Sequence, residues 1–373
     1  MSSSRLDASG ARFDPGLDAN PDSQRKNDHI RLALGQQQAA KRNAFDDIRF
    51  VHHSLRAVDQ ASVDTATSVC GAEWELPFYI NAMTGGSAQA GDINAQLATA
   101  AAATGLAMAT GSQHAALRRP ELVPTFTTVR EHDPDGFVFA NVGPTVSPGQ
   151  AVQAVRMLGA DALQIHVNPV QEAVMAEGDR DYGAWPGRIQ AIVAACPVPV
   201  VVKEVGFGLS RPTVELLASL GVGTVDVSGR GGTDFAVIEN GRRADHAYWY
   251  MDSWGLSTIL ALLTATHPVP VPAIALLASG GVRSPLDVVK ALALGARAVG
   301  VSGHFLATLT GQGVGGLIDE IHNWSSQVRA LMSLLGAHTM ADLKNTDMLV
   351  TGSTAEEATL LGVDLPALAH RHG

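Results

Sequence analysis

The sequence predicts a (β/α)₈ barrel, because eight short apolar runs alternate with amphipathic segments along most of the chain. Most runs are almost continuous in Val, Ile, Ala and Leu, as is typical of parallel strands buried on both faces. Eight strand–helix units favour a closed barrel over an open doubly wound sheet, which is the main alternative. The predicted strands are Leu76–Met83, Leu106–Thr110, Phe137–Val142, Ala162–Val167, Val198–Val205, Thr224–Ser228, Pro272–Ser279 and Ala298–Ser302.

Capping signals mark three of the helices between these strands. In each helix a serine stands at the N-cap, a proline lies in the first turn, and a glycine follows the last turn. In the third helix we expect Leu286, Val289, Leu292 and Ala293 to form one apolar face against the barrel. The three serine and glycine pairs are Ser147 and Gly159, Ser210 and Gly221, and Ser284 and Gly295.

The chain is expected to have four parts. Its first part is rich in Ser, Asp, Gly and Pro without periodicity, which is typical of a mobile tail. After the last strand, Gly315–Gly336 is predicted to form a long helix, and Met348–Thr351 is predicted to form a short strand. The predicted boundaries are 1–22 for the tail, 23–75 for an N-terminal extension, 76–336 for the barrel and 337–373 for a helical C-terminal appendage.

Composition restricts the class of partner. The 373 residues carry a formal net charge of −10, which argues against general binding to nucleic acid or to an anionic membrane. No apolar run reaches the length of a membrane span, and the start of the chain lacks the apolar core of a signal peptide. Two cysteines, Cys70 and Cys196, cannot build a disulfide framework. We therefore expect a cytoplasmic protein that acts on a small molecule.

A polar cluster follows the fourth predicted strand, in the segment QIHVNPVQE at 164–172. His166, Asn168, Gln171 and Glu172 gather where Pro169 ends the strand. In a parallel barrel the C-terminal ends of the strands carry the active site. Because Mg²⁺ prefers carboxylate and phosphate oxygens, Glu172 is a candidate ligand for it. The alternative is a polar loop that contains a buried, hydrogen-bonded histidine.

Glycine-rich turns follow the seventh and eighth predicted strands. They read ASGGVRS at 278–284 and VSGHFL at 301–306, and each enters a helix whose first N–H groups favour an anion. In barrels this pair of loops commonly holds a phosphate. We therefore expect a nucleotide-type cofactor such as FMN at these turns.

Two basic features also point to anionic ligands. Lys203 lies within an otherwise apolar strand, and a buried lysine is costly unless it is paired. Its partner is either an anionic reduced flavin or a carboxylate, from Glu204 or from an Asp of a neighbouring strand. Arg25, Lys26 and His29 share about one helical turn, which suits a diphosphate. The alternative for this turn is a solvated helix face.

Taken together, these segments resemble the type 2 isopentenyl-diphosphate Δ-isomerases, which are FMN-dependent (β/α)₈ enzymes. The resemblance covers about residues 24–330. RKxxH and HVNPxQE are specific to the family, whereas the glycine motifs occur in other FMN barrels. The matching motifs are RKxxH at 25–29, MTGG at 83–86, GSQ at 111–113, HVNPxQE at 166–172, VVKEVG at 201–206, SGRGGT at 228–233, WG at 254–255 and SGGVR at 279–283.

The resemblance implies interconversion of isopentenyl diphosphate and dimethylallyl diphosphate, with Mg²⁺ and with FMN reduced by NADPH. It implies a homo-oligomer, either a tetramer or an octamer. Gln171 and His166 would be catalytic, and Glu172 would bind Mg²⁺. The residues implied for the substrate are Arg25, Lys26, His29, Ser112, His114, Asn168 and Gln171. Those implied for FMN are Ala82, Met83, Thr84, Ser112, Asn141, Lys203, Ser228, Thr233, Gly280, Gly281, Arg283, Ser302 and Gly303.

The chain departs from the family at His114, where the family often has an arginine that helps to hold the diphosphate. Histidine is shorter and mostly neutral at pH 7. The departure bears on substrate affinity, and a related isomerase of another prenyl diphosphate is one alternative.

Other classes of protein share the barrel. A 2-hydroxy-acid oxidase would need a His base beside an Arg near the sixth and seventh strands, but the sixth ends in Ser228-Gly229-Arg230 without one. An inosine-monophosphate-dehydrogenase-like enzyme would need a nucleophilic Cys in a strand-end loop, and neither cysteine fits. An inactive flavin-binding module is disfavoured by the presence of Gln171 and Glu172.

Overall fold

Eight parallel strands close into a barrel, which confirms the predicted fold class. The computed structural model describes residues 16, 18, 20–37 and 42–372, so most of the predicted tail lies outside the described residues. Each predicted apolar run contains one barrel strand; β7 matches its run, and the other seven strands are shorter than theirs. The strands, in chain order, are β1 (Ile48–Phe50), β2 (Thr67–Val69), β3 (Ala72–Trp74), β4 (Phe78–Ile80), β5 (Met108–Ala109), β6 (Val138–Val142), β7 (Ala162–Val167), β8 (Val200–Glu204), β9 (Thr224–Asp226), β10 (Ala275–Ser279), β11 (Ala298–Val301) and β12 (Met348–Val350).

Strands β4 to β11 form the barrel, and β11 pairs with β4 to close it. Because all eight strands run in the same direction, the side chains at their C-terminal ends meet at one mouth. The register places His166 of β7 beside Lys203 of β8, and Lys203 beside Asp226 of β9. Three polar side chains from neighbouring strands therefore lie at the same level near the mouth.

Three helices begin and end near the predicted serine and glycine residues, but the serines form different hydrogen bonds. Ser147 and Ser284 accept N–H groups of the first turn, whereas the hydroxyl of Ser210 contacts the hydroxyl of Thr213. The expected apolar face of the third helix is wrong at Leu286, which is 38% exposed, whereas Val288, Val289, Leu292 and Ala293 are buried. The helices are α1 (Pro21–Gln37), α2 (Ala88–Thr104), α3 (His114–Arg118), α4 (Pro124–His132), α5 (Pro148–Leu158), α6 (Pro169–Val174), α7 (Trp185–Ala195), α8 (Arg211–Ser219), α9 (Phe235–Arg242), α10 (Thr258–Thr266), α11 (Pro285–Ala293), α12 (Gly303–Leu334), α13 (Met340–Leu343), α14 (Gly352–Leu360) and α15 (Leu365–Ala369).

The long helix after the last barrel strand begins earlier than predicted. It was expected over Gly315–Gly336, but α12 begins at Gly303, directly after the turn that follows β11. Several glycines lie between residues 311 and 316, yet only Gly313 departs from helical geometry, with φ 72° and ψ −174°. The helix is therefore kinked at Gly313, and its first half packs through the buried Phe305 and Leu309.

The extension and the appendage pack against each other outside the barrel. The predicted strand at Met348–Thr351 is confirmed as β12, and it pairs antiparallel with β1. The carboxylate of Asp47, just before β1, accepts the hydroxyl hydrogen bond of Thr354 in α14. Among the described residues, every helix is too short or too polar to span a lipid bilayer.

The loop that follows β4 packs against an aromatic side chain of α4. Phe126 is fully buried, and a Cβ atom on Gly85 would overlap its ring, so the loop backbone rests directly on this phenyl group. Close packing of this kind leaves a cavity when the ring is removed.

We predict that Phe126→Ala lowers the free energy of unfolding by about 3–5 kcal/mol, the usual cost of truncating a buried phenylalanine. Leu360→Ala is the matched control, because Leu360 is 86% exposed; it should change the stability by less than about 0.5 kcal/mol. Denaturant unfolding of the two variants measures both. Similar losses in the two variants would contradict the packing described for Phe126.

Candidate active site

A cavity of 970 Å³ opens at the C-terminal end of the barrel, between the strand-end loops and α1. Lys26 and His29 of α1 border it from the side of the extension. Of the residues that sequence reasoning assigned to the flavin, every one lies on its wall: Ala82, Met83, Thr84, Ser112, Asn141, Lys203, Ser228, Thr233, Gly280, Gly281, Arg283, Ser302 and Gly303.

The glycine turns form a shallow backbone cradle in this wall. Gly280 and Gly281 have φ angles of 94° and 77°, a conformation that side chains disfavour. A Cβ atom on Gly280 would overlap the carbonyl of Gly229, so the two loops touch backbone to backbone. Ser302 makes no capping hydrogen bond to the first turn of α12. The free N–H groups at this helix start suit a phosphate.

Arg283 borders the cradle but is held by carboxylates. Its guanidinium donates to both carboxylate oxygens of Asp46, and its Nε atom lies 3.1 Å from Asp287 Oδ2. The hydrogen bond with Asp46 is the main reason why the pKa of Arg283 is raised. The charge of Arg283 is therefore shared between these partners and the cradle.

Lys203 places a buried cation in the wall. Its Nζ atom donates to the carbonyl of Glu204 at 2.8 Å, and among the described residues it forms no salt bridge. The carboxylate of Glu204 instead accepts the N–H groups of Val205, Gly206 and Phe207. Burial lowers the pKa of Lys203, and the charges of Asp226 and Glu204 oppose this shift. The proposed side-chain pair with Glu204 is thus not formed.

One hydroxyl in the same wall is buried without a partner. The Oγ1 atom of Thr84 has no hydrogen bond within the described residues. A buried polar group without a partner is costly, so Thr84 suits a polar ligand that fills the cavity. Together with Lys203 and the cradle, this hydroxyl provides the cation, the donor and the anion site that a flavin nucleotide requires.

His166 reaches the wall as a neutral ring. Its Nδ1 atom lies 2.8 Å from Asn141 Oδ1. Burial is the main reason why its pKa is lowered to about 3, and the charges of Lys203, Lys26 and His114 lower it further. At neutral pH His166 is therefore an uncharged hydrogen-bonding group.

The polar cluster after β7 divides into two levels. Gln171 borders the cavity with His166, whereas Asn168 and Glu172 lie outside the wall. Asn168 Nδ2 donates to Gln171 Oε1 at 3.2 Å and to Glu172 Oε1 at 2.9 Å. The other carboxylate oxygen of Glu172 accepts the N–H of Asp179 at 2.7 Å. Asn168 thus links the amide in the cavity to the carboxylate behind it.

Arg25, Lys26 and His29 of α1 do not all point in the same direction. Lys26 and His29 face the cavity, and burial is the main cause that lowers the pKa of Lys26 to about 8. Arg25 turns aside instead, with Nη1 at 3.6 Å from the sulfur of Met175 and at 3.8 Å from a carboxylate oxygen of Glu177.

The two residues predicted after β5 differ in the same way. Ser112 borders the cavity, whereas His114, at the start of α3, lies off the wall. Burial and the charge of Arg118 lower the pKa of His114.

Glu239 on α9 was missed by sequence reasoning. Its buried carboxylate accepts hydrogen bonds from His29 and from Gln171 Nε2, both at 2.9 Å, and from Arg242. Burial raises the pKa of Glu239, but these partners outweigh it and lower the pKa to about 2. The available sequence signal was weak: an acidic residue that follows the apolar Ile238 in a short helix. Because it follows no strand end, no motif marked it.

Comparison with known proteins identifies the family. A family model for FMN-dependent dehydrogenases matches residues 28–125 and 140–351. Proteins called isopentenyl-diphosphate delta-isomerase from Nocardia farcinica and from Kitasatospora griseola are each 53% identical over 350 residues, which cover 94% of this chain and 96% and 95% of theirs. The chain belongs to the FMN-dependent, type 2 isopentenyl-diphosphate delta-isomerase family.

Solved structures show how widely this isomerase shares its fold. A mutant flavocytochrome b2 with benzoylformate has a TM-score of 0.61 at 20% identity, covering 90% of this chain and 82% of the other. A mutant mandelate oxidase has a TM-score of 0.59 at 18% identity, covering 87% and 92%. At such identities the likeness concerns the barrel alone. The chemistry of the isomerase must therefore be argued from its own side chains.

Because the pKa of Glu239 is lowered on folding, its contribution to the free energy of unfolding should depend on pH. A carboxylate whose pKa falls from 4.5 to about 2 on folding stabilises the protein above pH 4.5, and the stabilisation is lost as the pH falls towards 2. We predict that Glu239→Gln lowers the free energy of unfolding by about 2 kcal/mol at pH 7, as expected for a lost charged hydrogen bond. The deficit should shrink between pH 4.5 and pH 3.

Denaturant unfolding across that pH range measures this deficit. Glu356→Gln is the control, because it removes a carboxylate from an exposed position, and its small effect should not depend on pH. A deficit of Glu239→Gln that stays constant down to pH 3 would contradict the assignment of an ionised, hydrogen-bonded Glu239.

Proposed function

We propose that this protein interconverts isopentenyl diphosphate and dimethylallyl diphosphate, with reduced FMN and Mg²⁺. The observation that carries the proposal is the position of Gln171. Its amide borders the cavity that the flavin residues line, and Glu239 and Asn168 hold it from two sides. A neutral amide suits a reaction in which an alkene is protonated and then loses a different proton, since it does not compete for the proton.

The cavity wall supports FMN as the cofactor. The cradle of Gly280, Gly281 and Ser302 would hold the phosphate, and Lys203 and Thr84 would contact the flavin ring. When bound, reduced FMN supplies an acid and a base beside the alkene. A strong protein base is therefore not required in this wall.

The side chains of the isomerase orient and enclose the substrate. Lys26 and His29 would bind the diphosphate, because they border the cavity on the side of the extension. Glu239 accepts from both His29 and Gln171, so it aligns the diphosphate-binding side with the amide over the alkene. Ser112 and His166 would complete the polar wall. Because α1 covers this part of the barrel mouth, it also limits the access of water.

Glu172 suits Mg²⁺ only together with the substrate. Among the described residues, no group of three or more His, Cys, Asp or Glu side chains could hold a metal ion. Mg²⁺ is, however, commonly held by one or two carboxylates together with phosphate oxygens and waters. Each carboxylate oxygen of Glu172 accepts one hydrogen bond and keeps a second lone pair. Glu172 is thus a suitable single protein ligand for Mg²⁺ bound to a diphosphate.

Two expectations rest on the family resemblance alone: NADPH as the reductant, and a tetramer or octamer. The expectation of a cytoplasmic location rests on the composition and the two cysteines. The oxidase alternative gains no support from the site, because the described residues of the loops that follow β9 and β10 contain no histidine on the cavity wall. Arg230 in that region donates to the carbonyl of Ser253 instead.

The central test of the proposal is turnover of isopentenyl diphosphate with the flavin in each redox state. We expect dimethylallyl diphosphate to form with FMN, Mg²⁺ and a reductant, and not with oxidised FMN or without FMN. Product analysis by chromatography measures the conversion. Equal turnover with oxidised flavin or without flavin would reject the proposed reaction.

Substitutions of Gln171 and of Glu172 are predicted to change different kinetic properties. Gln171→Ala should lower kcat by on the order of a hundredfold with FMN still bound, because the orienting amide is lost. Glu172→Gln should shift the Mg²⁺ titration to higher concentrations, because a carboxylate ligand becomes an amide. Steady-state kinetics over a range of Mg²⁺ separate the two effects. An unchanged Mg²⁺ titration in Glu172→Gln would exclude Glu172 as the ligand.

His114→Arg is predicted to lower KM on the order of tenfold with little change in kcat. A charged hydrogen bond contributes about 1.5–3 kcal/mol and a neutral one about 1 kcal/mol. A contact with the diphosphate, away from the reacting carbons, stabilises the ground state and the transition state equally. Burial keeps the pKa of His114 below its usual value of 6.5, so acidification from pH 8 to pH 6.5 should not reproduce the gain.

Steady-state kinetics of His114→Arg measure this effect, with FMN binding as the control for folding. An unchanged or higher KM would show that the pocket is shaped for another substrate. Longer or methylated prenyl diphosphates would then be the compounds to test.

A further inference from the structure

A continuous chain of buried hydrogen bonds connects His166 of β7 to a carboxylate on β9, two strands away. From His166 Nδ1 the chain passes to Asn141 Oδ1 at 2.8 Å, and from Asn141 Nδ2 to Gln164 Oε1 at 3.2 Å. It continues from Gln164 Nε2 to Asn81 Oδ1 at 3.3 Å, and from Asn81 Nδ2 to Asp226 Oδ2 at 3.1 Å. The four residues beyond His166 are each at most 2% exposed. These four side chains are therefore almost completely shielded from bulk water.

The carboxylate end determines the direction of the whole chain. Asp226 accepts from the Tyr79 and Ser279 hydroxyls and from the N–H of Ser228, so it acts as an acceptor only. Asn81 must therefore turn its NH₂ group to Asp226. The N–H of Ala82 donates to Asn81 Oδ1 at 2.8 Å and fixes the same orientation. If the Asn81 carboxamide were flipped, its NH₂ group would face the N–H of Ala82 and the NH₂ group of Gln164, and its oxygen would face the carboxylate of Asp226.

Each carboxamide then passes this orientation to the next one. Because Asn81 offers an oxygen, Gln164 must donate its NH₂ group and present its own oxygen to Asn141. Asn141 must likewise donate to Gln164 and present its oxygen to His166. Only a protonated Nδ1 can complete the chain, since the oxygen of Asn141 offers no proton.

We infer that Asp226 is a positioning residue that acts through Asn81, Gln164 and Asn141 to fix His166 as the Nδ1–H tautomer, with an unprotonated Nε2 at the cavity wall. None of these links is needed to close the barrel, because a buried apolar layer would serve that purpose. The arrangement instead specifies which nitrogen of His166 remains available to a ligand.

This tautomer has a consequence for the ligand, which rests on the proposed function. A fully ionised diphosphate offers only hydrogen-bond acceptors, and an Nε2 atom without a proton is also an acceptor. Contact between them therefore needs one proton, either on a phosphate oxygen or taken up by Nε2. The charges of Lys203 on β8, Lys26 on α1 and His114 on α3 oppose protonation of the His166 ring, and a hydrogen bond with the backbone of Val142 favours it. A bound diphosphate would also favour it, by its negative charge.

Nitrogen NMR spectroscopy of the holoenzyme tests the tautomer directly. Magic-angle-spinning spectra with ¹³C,¹⁵N-labelled histidine distinguish Nδ1 from Nε2 through their bonded carbons, and His166→Gln assigns the signal. We expect a single Nδ1–H species for His166 in the native protein. A signal protonated at Nε2 in the native protein would overturn the inference, whatever the variants show.

Two variants at Gln164 test the role of the chain, because this side chain lies off the cavity wall. Gln164→Leu removes the link, so the single Nδ1–H species should be lost in favour of a mixture of tautomers. Gln164→Glu is the matched control: either protonation state of the new side chain accepts from Asn141, so the native tautomer should be retained. An unchanged tautomer in Gln164→Leu with FMN bound would overturn the role of Asp226.

Calorimetry with inorganic pyrophosphate tests the proton-linked step. Titration of the holoenzyme in buffers of different ionisation enthalpy gives the proton uptake on binding, and the contribution of free pyrophosphate is the same for every variant. Native protein and Gln164→Glu should take up more protons than Gln164→Leu. Equal uptake in all three would reject proton-linked binding at His166. Neither this experiment nor the spectra require isomerase activity, so failure of the proposed function would be recognised separately.

Discussion

The upper half of the barrel is organised around the need to satisfy a buried carboxylate. Asp226 is fully buried at the end of β9, where an ionised group without partners would cost several kcal/mol. Hydroxyl, amide and backbone donors from β4, from β10 and from the residues that follow β4 and β9 converge on it. Ser228 adopts a positive φ of 34° close to this point, and its N–H is one of the donors. The strained turn that leads into the cavity wall thus follows from the same requirement.

A second buried carboxylate joins the extension to the barrel. Glu239 on α9 binds His29 of α1 and Gln171 of α6, so three separate elements meet at one side chain. Arg242 neutralises its charge, and the network is buried against Phe235, whose ring lies 5.7 Å from that of His29. The position of α1 over the cavity therefore depends on a polar contact as well as on apolar packing.

The two sides of the cavity differ in how much they share with other flavin barrels. The proposed flavin side includes the glycine turns, Thr84 and Lys203, and the barrels of mandelate oxidase and flavocytochrome b2 have the same overall architecture. The proposed substrate side is built from α1, α6 and α9, with side chains that contact one another across elements. Catalytic differences within this fold are expected to arise on that second side, since function depends on the site and not on the fold.

The sequence by itself determined the positions of the eight strands, the starts and ends of three flanking helices, and the glycine turns that border the cavity. These features depend on local patterns: buried strands are apolar runs, and a backbone cradle requires glycine at particular turns. Only the tertiary structure revealed that Glu239 holds Gln171 and His29, that Arg25 turns away from the cavity, and that α12 continues through its glycines. It also brought Asn81, Asn141, Gln164 and Asp226 into one hydrogen-bonded chain. Such contacts join residues far apart in sequence, and a polar residue in a strand does not indicate which distant partner will satisfy it.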